Sequence, residues 1–296
     1  MREKKSRINW HNGFVSAMKL DLADNEKDLQ YSKEYYLTGK HQRIDLLIIK
    51  NEKSAIIHNP IGAVFSKYNI CEYKSPGDSL TYGDFFKTLA YTGLYLNERE
   101  EHDAHRVSDY TMTFVREAHP YKLFDRLSND GIIITMPVSG IYSLKNKLPF
   151  TTQVIVTSEV SDKDCPWLKC LTRRGTCQNL DNIVTITPAL SKSNKPEADT
   201  IMDIFTSANQ KLVKHEKEVD PNMCQAVNEL FADELKEMEQ KMKLIIADKD
   251  SLIANQNSLI ADKDAMIADK DALIAKLQAQ LEQYANNAHV SPDEIK

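Results

Sequence analysis

No run of apolar residues in this sequence is long enough to cross a bilayer. The basic start, Met1-Arg2-Glu3-Lys4-Lys5-Ser6-Arg7, gives way to Ile8-Asn9-Trp10-His11 and not to an apolar signal core, so a membrane span and a secretory leader are both unexpected. Cysteine is scarce and odd in number (Cys71, Cys165, Cys170, Cys177, Cys224) in a chain of 296 residues, too large to need disulfide staples; reduced thiols and a cytoplasmic location are expected. A Gly-rich phosphate loop and a nucleophile elbow are both missing, which leaves P-loop nucleotide hydrolysis and serine-hydrolase chemistry without support. There is no excess of positive charge either. A net charge of -5 argues against a protein that coats nucleic acid non-specifically, while still allowing a local basic groove. What is present is ordinary for a folded chain, 42% apolar and 27% charged, and excludes wholesale disorder.

Composition divides the chain. Residues 8–187 mix apolar runs with turn signals, 188–197 (Pro188 to Lys195-Pro196) have linker composition, and 198–243 are helical and charged. Residues 244–281 form a tandem repeat, and 282–296 read as a frayed polar tail. Within the first region, Phe14, Met18 and Leu22 predict an amphipathic helix over Trp10–Ala23. Strands are predicted over Leu29–Leu37, Arg43–Ile49 and Tyr68–Lys74. A turn at Ser75-Pro76-Gly77-Asp78 and a helix over Tyr82–Leu96 follow. Next come a strand (Tyr110–Val115), a helix (Tyr121–Leu127) and strands at Gly131–Met136, Ile141–Leu144 and Gln153–Thr157. This order predicts an α/β sandwich, a mixed sheet flanked by helices, whose middle strands are buried on both faces.

Two local conflicts mark the chemistry. Asp45 stands in Ile44-Asp45-Leu46-Leu47-Ile48-Ile49, where a lone buried charge costs several kcal/mol (order of magnitude); it must lie at the strand end, pair with a cation or bind a metal. In Ile70-Cys71-Glu72-Tyr73-Lys74, Glu72 and Lys74 point to the same face because strand side chains alternate. If the two strands are neighbours, Asp45, Glu72 and Lys74 converge on one face, and two carboxylates aimed at one point need a cation between them. Oxygen-only ligation by Asp45 and Glu72 suits Mg²⁺, or Mn²⁺, with Lys74 stabilising charge on a phosphate.

These residues resemble the PD-(D/E)XK nuclease superfamily, which implies a restriction-endonuclease-like fold. Asp45 matches its acid on the second strand and Glu72-Tyr73-Lys74 its triplet on the third, with Ile44 in place of the proline. The resemblance implies an added acid from the first helix, for which Asp21 is the candidate. Many members, notably the nuclease domains of bacterial recombination helicases, carry Gln-x-x-x-Tyr on the next helix; Lys87-Thr-Leu-Ala-Tyr91 has that spacing with lysine first, one helical face, reaching toward metal or phosphate. Trp10-His11, Arg43 to Lys50, Cys71 to Pro76, Asp84 to Tyr91, Trp167 to Thr172 and Glu229 to Asp233 look like a family of transposase-like, recombination-promoting nucleases from anaerobic gut Firmicutes, over roughly Trp10 to Leu235. The resemblance implies a Mg²⁺-dependent DNA endonuclease, with Lys40, Arg43, Lys67, Lys87 and the Arg2–Arg7 arm holding the backbone.

Other clusters read as inert. Cys165, Cys170 and Cys177 are spaced too widely for zinc and lack a placed fourth ligand, so idle thiols are expected; His102 and His105 sit in a charged loop. In the repeat, Ile246, Ile253, Ile260, Ile267 and Ile274 recur every seven residues, preceded by Leu252, Leu259, Met266 and Leu273 in the full units. That period predicts a left-handed coiled coil and a homo-oligomer. Gln256, Lys263 and Lys270 interrupt the seam, and a face of alanines and Ser258 lies opposite. A competing expectation is a catalytically silent nuclease fold that serves as a coiled-coil adaptor.

Overall fold

The computed structural model describes residues 8–37, 42–98, 106–213 and 232–288, with side chains over 243–283 in the last stretch. The Arg2–Arg7 arm, Lys40, His102, His105, Cys224, the Glu229–Asp233 side chains and the end of the polar tail lie outside the described residues. The described residues fall in two compact units, one within 1–230 and one within 231–296.

In the first unit, α1 (Trp10–Asp21) starts at Asn9, whose side chain accepts the Asn12 N–H, and buries Phe14 and Met18 as their spacing requires. Strands β1 (Leu29–Tyr36), β2 (Arg43–Lys50) and β3 (Tyr68–Lys74) form an antiparallel meander. The chain then turns at Gly77, whose φ of +97° favours glycine, into α2 (Tyr82–Asn97). Thr81 and Asp84 close a capping box at the start of α2. That helix carries the chain over to β4 (Tyr110–Arg116), which pairs parallel to β3. The order so far is helix, three strands, helix, strand.

After α3 (Tyr121–Asn129), strands β5 (Ile133–Val138), β6 (Ile141–Lys145) and β7 (Thr151–Val156) complete one seven-stranded mixed sheet in the order β1-β2-β3-β4-β7-β6-β5. β7 pairs parallel to β4, so the buried centre of the sheet is parallel and both margins are antiparallel. The β5 edge contains Pro137, and its register with β6 shifts between Thr135 and Val138. Phe14 stacks on Tyr73 (4.7 Å between ring centroids) and Phe85 stacks on Phe114 (5.2 Å). Tyr73 and Glu72 alternate along β3, and Phe114 is the register partner of Glu72, so α1 and α2 cover opposite faces.

One rung of the meander is broken. Register runs Lys33↔Leu46 and Tyr35↔Ile44, but the ladder skips the position where Glu34 would face Asp45, and Glu34 has φ +52°. Side chains change faces across that rung. Lys33 bonds Asn12 of α1, whereas Tyr35 packs edge-on against Tyr95 of α2 and Ile44 joins the core on the α2 side. A left-handed backbone at a non-glycine residue costs about 1–2 kcal/mol, so this irregularity is held by its surroundings.

Helices α4 (Pro166–Lys169), α5 (Cys177–Ile186) and α6 (Lys195–Ala208) follow the sheet. The expected linker over 188–197 does not separate two units. α6 begins inside it and packs on α1, where a Cβ on Gly13 would come within 2.6 Å of Ile204 Cδ1. Ile201, Met202, Ile204 and Phe205 are buried, so this stretch finishes the core of the first unit.

The second unit is one helix, α7 (Ala232–Ala288), 57 residues and about 86 Å long. Along it Leu252, Ile253, Leu259, Ile260, Met266, Ile267, Leu273 and Ile274 are all exposed. Among the described residues no helix is long and apolar enough to cross a membrane.

Candidate active site

The C-terminal end of β3 gathers ionisable side chains from four elements. Glu72 is buried, with 5% of its side chain exposed, and its Oε1 accepts from Lys74 Nζ at 3.1 Å and Lys87 Nζ at 2.8 Å. Lys74 also donates to Asp84 Oδ1 at 2.9 Å. Asp84 Oδ2 takes the Thr81 N–H and hydroxyl, so the residue that caps α2 also fixes Lys74. Lys87 projects from the next turn, 5.7 Å above the ring of Tyr91 on the same helical face.

Asp45 approaches from β2. Its Oδ2 accepts the Tyr73 N–H at 2.9 Å, that is, the peptide joining Glu72 to Tyr73. The same oxygen lies 3.5 Å from His11 Nε2 of α1, and the His11 ring meets Tyr73 edge-on. Fields extend across the group: Lys87 helps to hold Asp45 ionised, and Glu72 favours the His11 imidazolium.

Protonation states follow from these partners. The bond to Asp45 raises the His11 pKa above its ordinary value against the pull of burial. Burial opposes charge on Asp45, but the His11 bond and the Tyr73 N–H outweigh it and hold the carboxyl below its usual range. Burial likewise pulls Lys74 down, and its bonds to Asp84 and Glu72 more than restore it, so the ammonium stays charged at neutral pH. Asp84 is lowered to about 2 because the Lys74 and Thr81 bonds overcome its desolvation.

Of the expected residues, Glu72, Lys74, Lys87 and Tyr91 are gathered, Asp45 is near but turned, and Asp21 and Lys67 are not among them. Glu72, Lys74, Lys87 and Tyr91 belong to the α2 side, as their spacing predicts. The Asp45 carboxylate is engaged by His11 of α1 and the 72–73 peptide, because the broken rung opposite Glu34 upsets the alternation that would aim it at Glu72. Asp21 is elsewhere. It lies ten residues beyond His11, about 15 Å along α1, and its two oxygens accept the N–H groups of Trp167 and Leu168. There it is buried and its pKa is pushed up to about 8 by desolvation. Lys67 is also remote, at the opposite end of β3 over the ring of Tyr68, and Arg43 pairs with Glu34. His11 and Asp84 complete the cluster without having been expected in it. The signal for Asp84 was the Thr-x-x-Asp cap; His11 had none beyond its place at the start of α1.

Asp45 and Glu72 each turn one oxygen to donors. Among the described residues, Asp45 Oδ1 and Glu72 Oε2 accept no hydrogen bond, and each is a hard oxygen donor of the kind a divalent cation takes. No group of three metal-capable side chains occurs among the described residues, so a cage built wholly from protein does not fit. Cys165 and Cys170 are buried thiols raised by desolvation, and Cys177 is exposed. Comparison with protein-family models, curated proteins and solved structures gave no match for this chain.

Proposed function

We propose that the chain is a metal-dependent DNA endonuclease of the PD-(D/E)XK type on a restriction-endonuclease-like fold, a transposase-like, recombination-associated enzyme that hydrolyses phosphodiester bonds. The observation that carries this reading is the helix–three strands–helix–strand order with Asp45 hydrogen-bonded to the very peptide that follows Glu72, while Lys74 lies 3.1 Å from Glu72. Asp45 and Glu72 would hold magnesium or manganese, which when bound supplies a water of lowered pKa and charge for the phosphate. Lys74, kept protonated by Asp84, stabilises negative charge growing on the phosphate instead of acting as a base. Lys87 neutralises Glu72 until substrate and ion arrive. His11 holds the Asp45 carboxylate in place.

The test is nicking of supercoiled plasmid with Mg²⁺. Asp45→Ala and Lys74→Ala should each reduce the rate by about 10²-fold or more with unchanged circular dichroism, the scale of losing one preorganised charge; equal cutting by both variants overturns the reading.

The catalytically inactive adaptor is favoured by one observation, that Glu72 is already balanced by two ammonium groups. It requires no cleavage and no change of melting temperature with Mg²⁺. In either reading the occupant of the α7 stripe is a second copy of this helix, because large apolar residues exposed every seven positions match themselves in register.

A further inference from the structure

Beside the cluster lies a cleft of about 550 Å³ between the start of α2 and the start of α3. Its cationic lining comes from Arg116, Lys122 and Arg126, with His119, and its aromatic lining from Tyr82 and Tyr121; no carboxylate lines it. It adjoins the candidate active site through two connections. Arg116 is the register partner of Lys74 across the parallel β3–β4 ladder, so both project from one face of the sheet. Thr81, in the cleft wall, bonds one oxygen of Asp84 while Lys74 bonds the other.

The groups in this cleft are poorly committed to the protein itself. Among the described residues, the Arg116 guanidinium makes only a 3.5 Å approach to the Asp78 carbonyl, and its Nε is shut off from solvent with no acceptor. Such an unmatched donor is costly and calls for an explanation. Arg126 Cζ lies over the Tyr82 ring, 3.8 Å from its centroid, and Tyr82 in turn neighbours the exposed Phe86. Tyr121 is 70% exposed and rests against His119. The start of α3 faces the same space through Pro120, Tyr121 and Lys122, and its N-cap provides no side-chain acceptor. Several nearby acids are already engaged: Asp130 by the Tyr82 hydroxyl, Asp84 by Thr81 and Lys74, and Glu159 by His119.

We infer that this cleft binds single-stranded DNA, its phosphates on Arg116, Lys122 and Arg126 and its bases stacked on Tyr121 and the Tyr82–Arg126 pair. Cations interleaved with exposed aromatic faces are what a flexible strand with unpaired bases can use; a duplex hides its base faces and meets charge alone. A larger cleft, about 900 Å³, is lined by Trp10, His11 and Arg173 and has fewer cations interleaved with aromatic faces. Because the cleft opens beside Lys74, the inference rests on the nuclease reading for its purpose: the strand entering or leaving the cutting site is unpaired, and the substrates are frayed, flapped or gapped DNA.

Binding and cutting are measured separately. Fluorescence anisotropy with a labelled 15-nucleotide thymidine strand, in EDTA, uses the full chain, against the same length as blunt duplex and against inorganic phosphate as competitor. The strand should bind at least 10-fold tighter than the duplex and resist millimolar phosphate. Lys122→Ala with Arg126→Ala should weaken binding 10-fold or more and flatten the slope of log affinity against log salt by roughly one to two. Tyr121→Ala should weaken it without changing that slope. Equal or tighter duplex binding, displacement by millimolar phosphate, or unchanged affinity in folded variants overturns the cleft. Plasmid nicking lost in Asp45→Ala and Lys74→Ala, with strand affinity unchanged in the folded cleft variants, would leave the nuclease reading intact while the cleft fails. Strand binding that persists in a chain that cuts nothing would sink the nuclease reading and spare the cleft.

Discussion

Asp21 offers a quantitative test of its place in the scaffold. Its oxygens accept two backbone N–H groups at the start of α4, at 3.1 and 2.9 Å, in a buried setting. Asp21→Ala leaves both donors without a partner, at about 1–3 kcal/mol each, so a loss of about 2–6 kcal/mol is expected. Asp21→Asn keeps one acceptor and should lose about half as much. The two can be separated further by pH. The folded carboxyl titrates at about 8, far above its unfolded value, so the folded state holds an extra proton between the two. Stability from this group is therefore greatest below the unfolded pKa and declines as pH rises toward 8. The slope is about 1.4 kcal/mol per pH unit, or roughly 2.7 kcal/mol from pH 5 to 7. Urea unfolding followed by tryptophan fluorescence reads this directly, since Trp10 and Trp167 are both buried in the first unit and Trp167 sits on Asp21. Wild type should lose ground to Asp21→Asn over that range. If the two curves run parallel, or wild type gains on the variant as pH rises, the N–H groups hold an ionised carboxylate and the desolvation argument is wrong.

Three further outcomes are expected. His11→Gln should remove a contribution that is present below about pH 6.5 and fades as pH rises through the elevated folded value; solvent screening limits it to about 1 kcal/mol, read by melting from pH 5 to 9. Glu34→Val should cost about 1–2 kcal/mol because a β-branched residue resists φ +52°, while Glu34→Gly should be tolerated; equal effects in urea titrations would show that the broken rung is unstrained. Ile260→Lys with Ile267→Lys should dissociate any assembly formed by α7, since each buried isoleucine is worth about 1.5–3 kcal/mol; an unchanged mass in sedimentation overturns the pairing.

Much of the frame can be read from local pattern. β3 occupies Tyr68–Lys74 as expected because its aromatic and β-branched run ends in Ser-Pro-Gly, and α2 starts at Tyr82 because Thr81 and Asp84 cap each other. The Glu72–Lys74 pair follows from period two, and Lys87–Tyr91 from the helical turn. What sequence could not supply were effects created by packing between distant segments. Asp21 looks like a polar surface residue until α4 arrives from 146 residues away to use its carboxylate. The Lys195–Ala208 stretch looks like part of a separate helical region until Gly13 gives Ile204 room against α1. The turn of Asp45 toward His11 depends on a left-handed glutamate across the ladder, and glutamate carries no mark for that conformation.

The two borders of the sheet carry a consequence for assembly. β1 presents Lys33 and the left-handed Glu34, and β5 presents Pro137 beside a register shift, so neither offers a straight row of donors and acceptors on which another chain could grow. Exposed Ile133 and Met136 on β5 would otherwise invite fibrous stacking. Lateral growth of the sheet is thus obstructed on both flanks, so the pairing proposed for the helical rod would not have to compete with strand addition.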